Sequence, residues 1–388
     1  MAEKEFYGYR RPDGSVGVRN HVLIIPSTGC ASALATRISN QVIGTMAVTH
    51  TEGCLQLGKD VEQTYRTLVG IGRNPNVAAV VAVGLGCEQV SADKLADDIA
   101  ASGKPAESVI ALELGGVTNA MSEGVKRARK LVEEVSEVRR EKVDASELVV
   151  GVKCALTDTT SGIAANPSVG NAIDRVIEAG GTAIFSETPE IIGAEHILAK
   201  RAVSEEVANR LLEVVRVIEE RVKMAGVDMR GSNPTPGNIK MGITTIEEKS
   251  LGAILKGGTT PLMGVLDYGE RPPGKGLYFM DGPGRTNELL TGLVAAGAQV
   301  IVMPTGGGSP SGSPIAPTIK VTGNPNTSRR LMEYIDIDVS QILAGLETVE
   351  EAGARIYRRI LRVASGEPTK IEKLGYGATA IYTLWTHL

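Results

Sequence analysis

The run Asn74–Glu88, NPNVAAVVAVGLGCE, decides the fold. From Val77 to Val83 it is unbroken and apolar, rich in β-branched residues and without period-2 alternation, and it stops at a glycine turn that carries Cys87 and Glu88. Such a run, bounded by turn residues, is a strand buried on both faces, as in parallel sheets covered by helices. Working outward, the same reading gives strands at His21 to Pro26, Thr45 to Thr49, Val109 to Leu114, Leu148 to Val152, Thr182 to Ser186 and Gln299 to Met303. Between them Ala31 to Ile43, Gly58 to Gly70, Ala92 to Ser102 and Asn119 to Arg139 place apolar residues at helical spacing, which covers the sheet faces. The alternation predicts an α/β chain of two Rossmann-like domains, mostly parallel sheets flanked by helices, with the active site at the strand carboxyl ends. The charged segment Arg139 to Glu147 sets the boundary between an N-terminal domain, 1–143, and a C-terminal domain, 144–388. Met229 to Gly242, rich in Gly, Pro and Asn, reads as an ordered loop, and Ile335 to Gly366 as mostly helical.

At 388 residues and 42% hydrophobic content the chain can bury proper cores. A net charge of −4 offers no basic field for nucleic acid or an anionic membrane, so an anionic substrate needs a locally basic pocket. No apolar stretch approaches a membrane span and Met1 to Gly14 lacks the core of a signal peptide, which predicts a cytoplasmic protein. Four cysteines in a reducing compartment read as thiols or metal ligands rather than disulfides.

All four cysteines follow strands: Cys30, Cys54, Cys87 and Cys154. Any one of them is ordinarily a small buried hydrophobe, but three keep polar company that an apolar core would not tolerate: His50, Thr51 and Glu52 beside Cys54, Glu88 beside Cys87, and Lys153, Thr157 and Asp158 around Cys154. Three thiolates converging on one site favour iron, as Fe2+ or as an iron–sulfur cluster with an open iron. Glycine-rich loops recur at 84–88, 155–162, 276–284 and 305–314 and suit an anion. No dinucleotide fingerprint and no phosphate-loop motif is present, which disfavours a nucleotide-dependent kinase or dehydrogenase. His196 reads as a surface histidine on a helix, and neither His21 nor His387 is assigned a role.

Several ordered motifs then resemble the altronate/galactarate dehydratase family, which includes the large subunit of sulfolactate sulfo-lyase. They are GYRRPDGSVGVRNHVLIIP (8–26), THTEGC (49–54), NPNVAAVVAVGLGCE (74–88), KCALTDTTSGIAANPSVG (153–170), SETPEIIGAEHILAKRA (186–202), NPTPGNIKMGITTIEEKSLGAILKGG (233–258), GLYFMDGPG (276–284) and PTGGGSPSGSPIAPTIKVTGN (304–324). The resemblance implies a metal-dependent hydro-lyase that takes water from a sugar acid to leave a 2-keto-3-deoxy acid, or a sulfo-lyase that releases sulfite and leaves pyruvate. A non-catalytic sugar-acid-binding protein is the alternative of another class. The cofactor implied is iron, with another divalent metal such as Mn2+ in its place. Family members often carry a SAF-type β-clip domain, absent from this chain, so a separate small SAF-domain subunit is expected, together with a homo-oligomer. The expected ligands are Cys54, Cys87 and Cys154, with Cys30 only shaping the pocket wall. His50 or Lys153 is the expected base, Glu88 or Asp158 the acid or orienting group, and Arg19, Asn20, Thr51, Ser161, Asn166, Lys249 and Lys320 the substrate contacts. Two departures bear on the substrate. Ala155, Leu156 and Thr157 stand where the family usually has Gly-Gly-Ser, and Gly307 and Leu55 stand where it commonly has Arg and Gly.

Overall fold

The computed structural model describes residues 4–231 and 233–385; His387 lies outside them. Strands in chain order are β1 (Glu5–Arg10), β2 (Val16–Gly17), β3 (His21–Pro26), β4 (Thr45–Ala47), β5 (Val77–Gly84), β6 (Ala106–Ile110), β7 (Glu141–Asp144), β8 (Val149–Val152), β9 (Thr182–Ser186), β10 (Leu262–Leu266), β11 (Gly276–Met280), β12 (Val300–Pro304), β13 (Thr318–Thr322) and β14 (Ile337–Asp338). They form a parallel four-stranded sheet of order β4-β3-β5-β6, a parallel seven-stranded sheet of order β10-β11-β9-β8-β12-β13-β14, and a small antiparallel sheet of β2, β1 and β7. The two α/β units expected from the apolar runs are present. The run that opened the reading is β5, buried along its whole length between β3 and β6.

Both parallel sheets reverse strand order once, after β4 and after β10, and the first switch point lies between β3 and β5 and the second between β8 and β12. Loops that leave two neighbouring strands in opposite directions part there, and the crevice they leave is where open α/β sheets bind ligands. The helix Asn166–Glu178 follows β8 through a π-helical turn, Ser161–Ala165; such turns concentrate at functional sites.

One core is shared by the two units: Leu23, Ile25 and Val80 of the first sheet belong to the same cluster as Ile301 and Met303 of the second. Asn76 clasps the joint by donating to the Gln299 and Ile315 carbonyls at 2.8 and 3.1 Å. Arg19 does likewise, forked onto Glu372 at 2.8 and 3.0 Å. The tail then crosses from the second unit to the first. Ala378 N donates to Gly312 O, Thr379 exchanges hydrogen bonds with Thr49, and the Leu384 and Trp385 amides donate to Asp60. Loops from both carboxyl edges are thereby tied by consecutive tail residues. No helix among the described residues is long and apolar enough to cross a membrane.

Two expectations shift. The segment expected as a strand at 109–114 pairs as Ala106–Ile110, because Leu112, 67% exposed, lies beyond the sheet. Within 335–366, helix begins only at Val349, after β14 and a 3-10 turn at Ser340–Ala344.

Candidate active site

β8 ends at Val152 and delivers Lys153 and Cys154 to the second switch point, beside the end of β9, where Glu187 begins a tight turn that carries Glu190. From the other side the helix Ile246–Ile254 and the 3-10 turn that follows it bring Lys249 and Lys256. All six side chains are buried, from 0% exposure at Glu187 to 6% at Glu190 and Lys249. Lys153 Nζ lies 2.9 Å from Glu187 Oε1, Lys256 Nζ 2.8 Å from Glu187 Oε2, and Lys249 Nζ 3.1 Å from Glu190 Oε1. The Cys154 thiol donates its one proton to Glu190 Oε2 at 2.7 Å, with Glu187 Oε2 3.2 Å from the sulfur, and the Cys154 amide donates to Glu187 Oε2 at 2.9 Å. Asn233, in the Gly/Pro/Asn-rich loop, accepts from Lys249 at 2.9 Å and donates to Pro189 O, closing the cluster on that side.

Glu187 sits at φ +88, ψ 70, a left-handed conformation that costs a non-glycine residue about 1–3 kcal/mol and persists where surrounding contacts over-determine it. Here two ammonium groups and an amide hold the carboxylate. Its Oε1 faces the Lys153 ammonium and no other donor.

Burial pushes the Cys154 thiol well up, and the two carboxylates push it further, so it keeps its proton. Burial opposes the Glu190 carboxylate, but Lys249, Lys256 and Lys153 outweigh it and hold the group down to about 2. Burial likewise opposes the Lys256 and Lys153 ammonium groups. Cys154, Glu187 and Glu190 outweigh it at Lys256, and the two glutamates with Cys154 do so at Lys153, keeping both charged. Three ammonium groups therefore face two carboxylates and a neutral thiol, with one positive charge in excess in a site closed to water. That excess is a locally basic patch in the interior of an otherwise acidic chain.

Cys154, Glu187 and Glu190 are also the one group among the described residues whose His, Cys, Asp or Glu ligand atoms, all within 4.8 Å of one another, could hold a metal ion. A thiolate with two carboxylates is a donor set for iron or zinc. As packed, however, the set does not fit a dication, because lysines already lie on the carboxylate oxygens. A further double charge would then add to an uncompensated positive one, at a cost buried ions rarely meet.

The cluster thus gathers Lys153, Cys154 and Lys249 from the expected residues and adds Glu187, Glu190 and Lys256. Asp158 stands beside it. It accepts from the Ser161 amide and hydroxyl, from Thr160 Oγ1 and from Asn324 Nδ2 at 2.7–3.1 Å, with Gly306 against its carboxylate. Asn166 donates to Gly252 O, and its Oδ1 is buried without a partner. Lys320 lies on β13 opposite Met303 of β12, and burial lowers its amine to about 7. Its Nζ donates to Ser311 O in the glycine-rich loop.

The remaining expected residues lie elsewhere. Arg19 and Asn20 are in the joint between units, Asn20 accepting from Arg11 and donating to Val135 O. His50, Thr51, Cys54, Cys87 and Glu88 line the edge of the first sheet. His50 Nε2 lies 2.7 Å from Pro26 O, its Nδ1 accepts from the Glu52 amide, and burial lowers its pKa, so the ring is neutral with both nitrogens engaged. Thr51 donates to Glu52. Cys54, Cys87 and Cys154 do not form a three-ligand set of single-ion dimensions, since Cys154 belongs to the other sheet.

Comparison with known proteins agrees with this architecture. Residues 8–136 match the model of the D-galactarate dehydratase/altronate hydrolase second domain, and residues 145–387 that of the D-galactarate/altronate dehydratase C-terminal domain. The chain is 42% identical to the (2R)-sulfolactate sulfo-lyase subunit beta of Chromohalobacter salexigens over 96% of both chains. It is 34% identical to the altronate dehydratase of Bacillus subtilis, over 98% of this chain and 78% of the relative. With the galactarate dehydratase (L-threo-forming) of Escherichia coli it shares 35% identity, over 93% of this chain and 73% of the relative. All three relatives are lyases by name, and with two family models covering nearly the whole sequence the chain belongs to the D-galactarate/altronate dehydratase family of lyases.

Proposed function

We propose that the chain is the large subunit of a lyase that expels sulfite from a short 3-sulfonated 2-hydroxy acid, of the (2R)-sulfolactate type, and leaves pyruvate. The observation that carries a reaction on a small anion is the buried cluster with its uncompensated positive charge. Elimination removes the hydrogen at C2, beside the carboxylate, and breaks the C3–S bond. The electron pair of the C–H bond becomes the C2–C3 double bond, sulfite departs with the C–S pair, and the enol takes a proton at C3 to become pyruvate. The difficult species is the enediolate that forms at the carboxylate. Lys153, Lys249 and Lys256 are placed to stabilise that added charge, a role for which a preorganised, dry site is far more effective than water.

Three further assignments follow. Lys320, with its amine near neutrality, accepts the C2 proton; the strand register puts it and Lys153 on the same face on either side of Met303. Glu187 Oε1, a carboxylate oxygen already facing Lys153, accepts from the C2 hydroxyl. Cys154, held protonated, returns a proton to C3. Iron, expected from the family, is not assigned to Cys154, Glu187 and Glu190, and no step above passes through it. A separate small subunit is proposed as partner, since the relative of matching length is named as a subunit.

A three-carbon substrate is favoured over a six-carbon sugar acid by the contact between Gly307 and Leu156. A side chain at position 307 would begin 3.2 Å from both Leu156 Cβ and Met241 Sδ. Bulk and an absent basic group therefore coincide beside the cluster, where a long aldonate or aldarate would need room and a distal anchor. The test incubates the purified chain, with and without its small partner, with (2R)-sulfolactate, altronate and galactarate, and follows sulfite and 2-keto acids. Sulfite and pyruvate in equal amounts from sulfolactate support the reading; a 2-keto-3-deoxy acid from altronate or galactarate with no sulfite from sulfolactate replaces it with the dehydratase reading.

A further inference from the structure

A cleft of about 360 Å3 opens between the two units on the carboxyl side of β10 and β11, and it shares no lining residue with the buried lysine cluster. Two helices, one from each unit, form its walls. Gly58–Arg73 turns Lys59, Gln63 and Arg66 towards it, and Glu205–Met224 turns Arg210, Val214 and Arg221. Helical spacing keeps each set on one face of its helix. The tail closes the cleft with Tyr382, whose carbonyl accepts from Gln63 and whose ring meets that of Tyr268 edge-on, with 5.6 Å between centroids.

The positive charges on these walls are only partly matched. Arg210 is paired, 2.8 Å from Asp267 and 2.9 Å from Glu213. Lys59, Arg66 and Arg221 form no ion pair among the described residues. The half-buried Arg66 donates through Nε to Tyr268 O at 3.1 Å, and the half-buried Arg221 donates through Nη1 to the Tyr382 hydroxyl at 3.2 Å. Most donors of each guanidinium are left without a protein acceptor. Once Arg210 is set against Asp267, three cations face two carboxylates, those of Glu62 and Asp281. Asp281 accepts from Thr188 Oγ1 at 2.6 Å through Oδ1, and its Oδ2 takes no hydrogen bond from the described residues. Burial raises this carboxyl above its ordinary range, with Thr188, Arg210 and Arg221 acting against the rise, which weakens its opposition to a bound anion. Thr188 comes directly after Glu187, so the cleft adjoins the turn of the lysine cluster.

Unpaired guanidinium groups on a cleft wall hold an oxyanion through paired N–H donors. A carboxylate brings a single charge to the three cations, whereas a phosphate monoester brings about −1.5 to −2 at neutral pH and three acceptor oxygens. The free oxygen of Asp281 suits a hydroxyl. We propose that this cleft is a second ligand site, for a small phosphate monoester that also carries a hydroxyl, with Arg66, Arg221 and Lys59 on the phosphate and Asp281 Oδ2 accepting from the hydroxyl. The ligand is bound there and not transformed. The proposal does not rest on the sulfo-lyase reading.

The experiment is calorimetric titration of the full chain at low salt with glycerol 3-phosphate, inorganic phosphate, glycerol and gluconate. Glycerol 3-phosphate is expected to bind more tightly than inorganic phosphate or gluconate, and glycerol to give no heat. Arg66→Met and Arg221→Met, each with unchanged circular dichroism, should weaken glycerol 3-phosphate at least about tenfold, the loss of one charged hydrogen bond. Asp281→Ala should bring glycerol 3-phosphate and inorganic phosphate to equal affinity, and Lys153→Met should leave both affinities as they are. No binding of glycerol 3-phosphate, or binding that survives both arginine variants, overturns the proposal. Loss in Lys153→Met with retention in the arginine variants overturns it too, by assigning the anion to the lysine cluster, and gluconate bound more tightly than glycerol 3-phosphate overturns the ligand class. Sulfite release by a chain that binds no glycerol 3-phosphate would leave the proposed function standing while this proposal fails.

Discussion

Glu187→Gln keeps the shape of the side chain and removes one negative charge at the centre of the buried cluster. Its carboxylate is the counter-ion of Lys153 at 2.9 Å and Lys256 at 2.8 Å, and it accepts from the Cys154 amide at 2.9 Å. In the variant three ammonium groups would face a single carboxylate, with two positive charges uncompensated where the residue is fully buried. Neutralising one partner of a buried ion pair costs about 3–5 kcal/mol, and that is the destabilisation expected. Lys256→Met removes the excess charge instead. Glu187 keeps Lys153, Glu190 keeps Lys249 at 3.1 Å, and the methionine stem fills the vacated space. The loss is then one charged hydrogen bond, about 1.5–3 kcal/mol, partly offset by relief of the surplus charge. Urea unfolding of both variants, followed by circular dichroism at neutral pH, measures the difference. Glu187→Gln must be the less stable of the two. Equal stabilities, or Lys256→Met the weaker, would mean that one of these lysines is neutral and the charge count is wrong.

Lys320 should make stability depend on pH. Its folded amine, brought by burial to about 7, releases its proton well below the ordinary lysine range, so the unfolded chain binds more protons between about pH 7 and 10 and stability rises with pH there. Lys320→Met should therefore gain most over the wild type below pH 7, with the gain shrinking towards pH 10; a gain independent of pH would show an ordinary amine. In the metal-free chain, a maleimide should label Cys30 and Cys87 in the native state and reach Cys154 only on unfolding, because Cys154 is buried and its thiol is held protonated; peptide mass spectrometry reads this, and native labelling of Cys154 would contradict it. Arg19→Met should destabilise the chain by about 1.5–3 kcal/mol through loss of the fork onto Glu372, with KM for substrate unchanged. A large rise in KM at full stability would return Arg19 to the substrate site.

The parallel sheets were legible because their strands are unbroken apolar runs: His21–Pro26 and Thr182–Ser186 pair over the residues their composition indicates. What escaped was chain that is buried while carrying polar or small residues. β13 is fully buried, yet its sequence TIKVT centres on Lys320, whose charge disguises a strand interior. β1 and β7 form an antiparallel joint in which only alternate residues are covered, so neither shows a continuous run. At the site, Lys153 and Cys154 were legible from their place after β8. Glu187 and Glu190 follow β9 in the same way, and that position was the available signal. Lys256 carries none, since a lysine in a helical stretch ordinarily reads as surface; only the fold puts it against Glu187. The grouping of Cys154 with Cys54 and Cys87 assumed one sheet edge where the chain builds two.

Sulfite release from (2R)-sulfolactate by the chain with its small partner, compared between wild type and Lys153→Met of matched circular dichroism, tests the central claim most directly. If the surplus charge at the end of β8 stabilises the enediolate, the wild type releases sulfite and pyruvate together, and the variant loses about 100- to 1,000-fold in kcat. Undiminished turnover in Lys153→Met would place the chemistry away from this cluster and contradict the account.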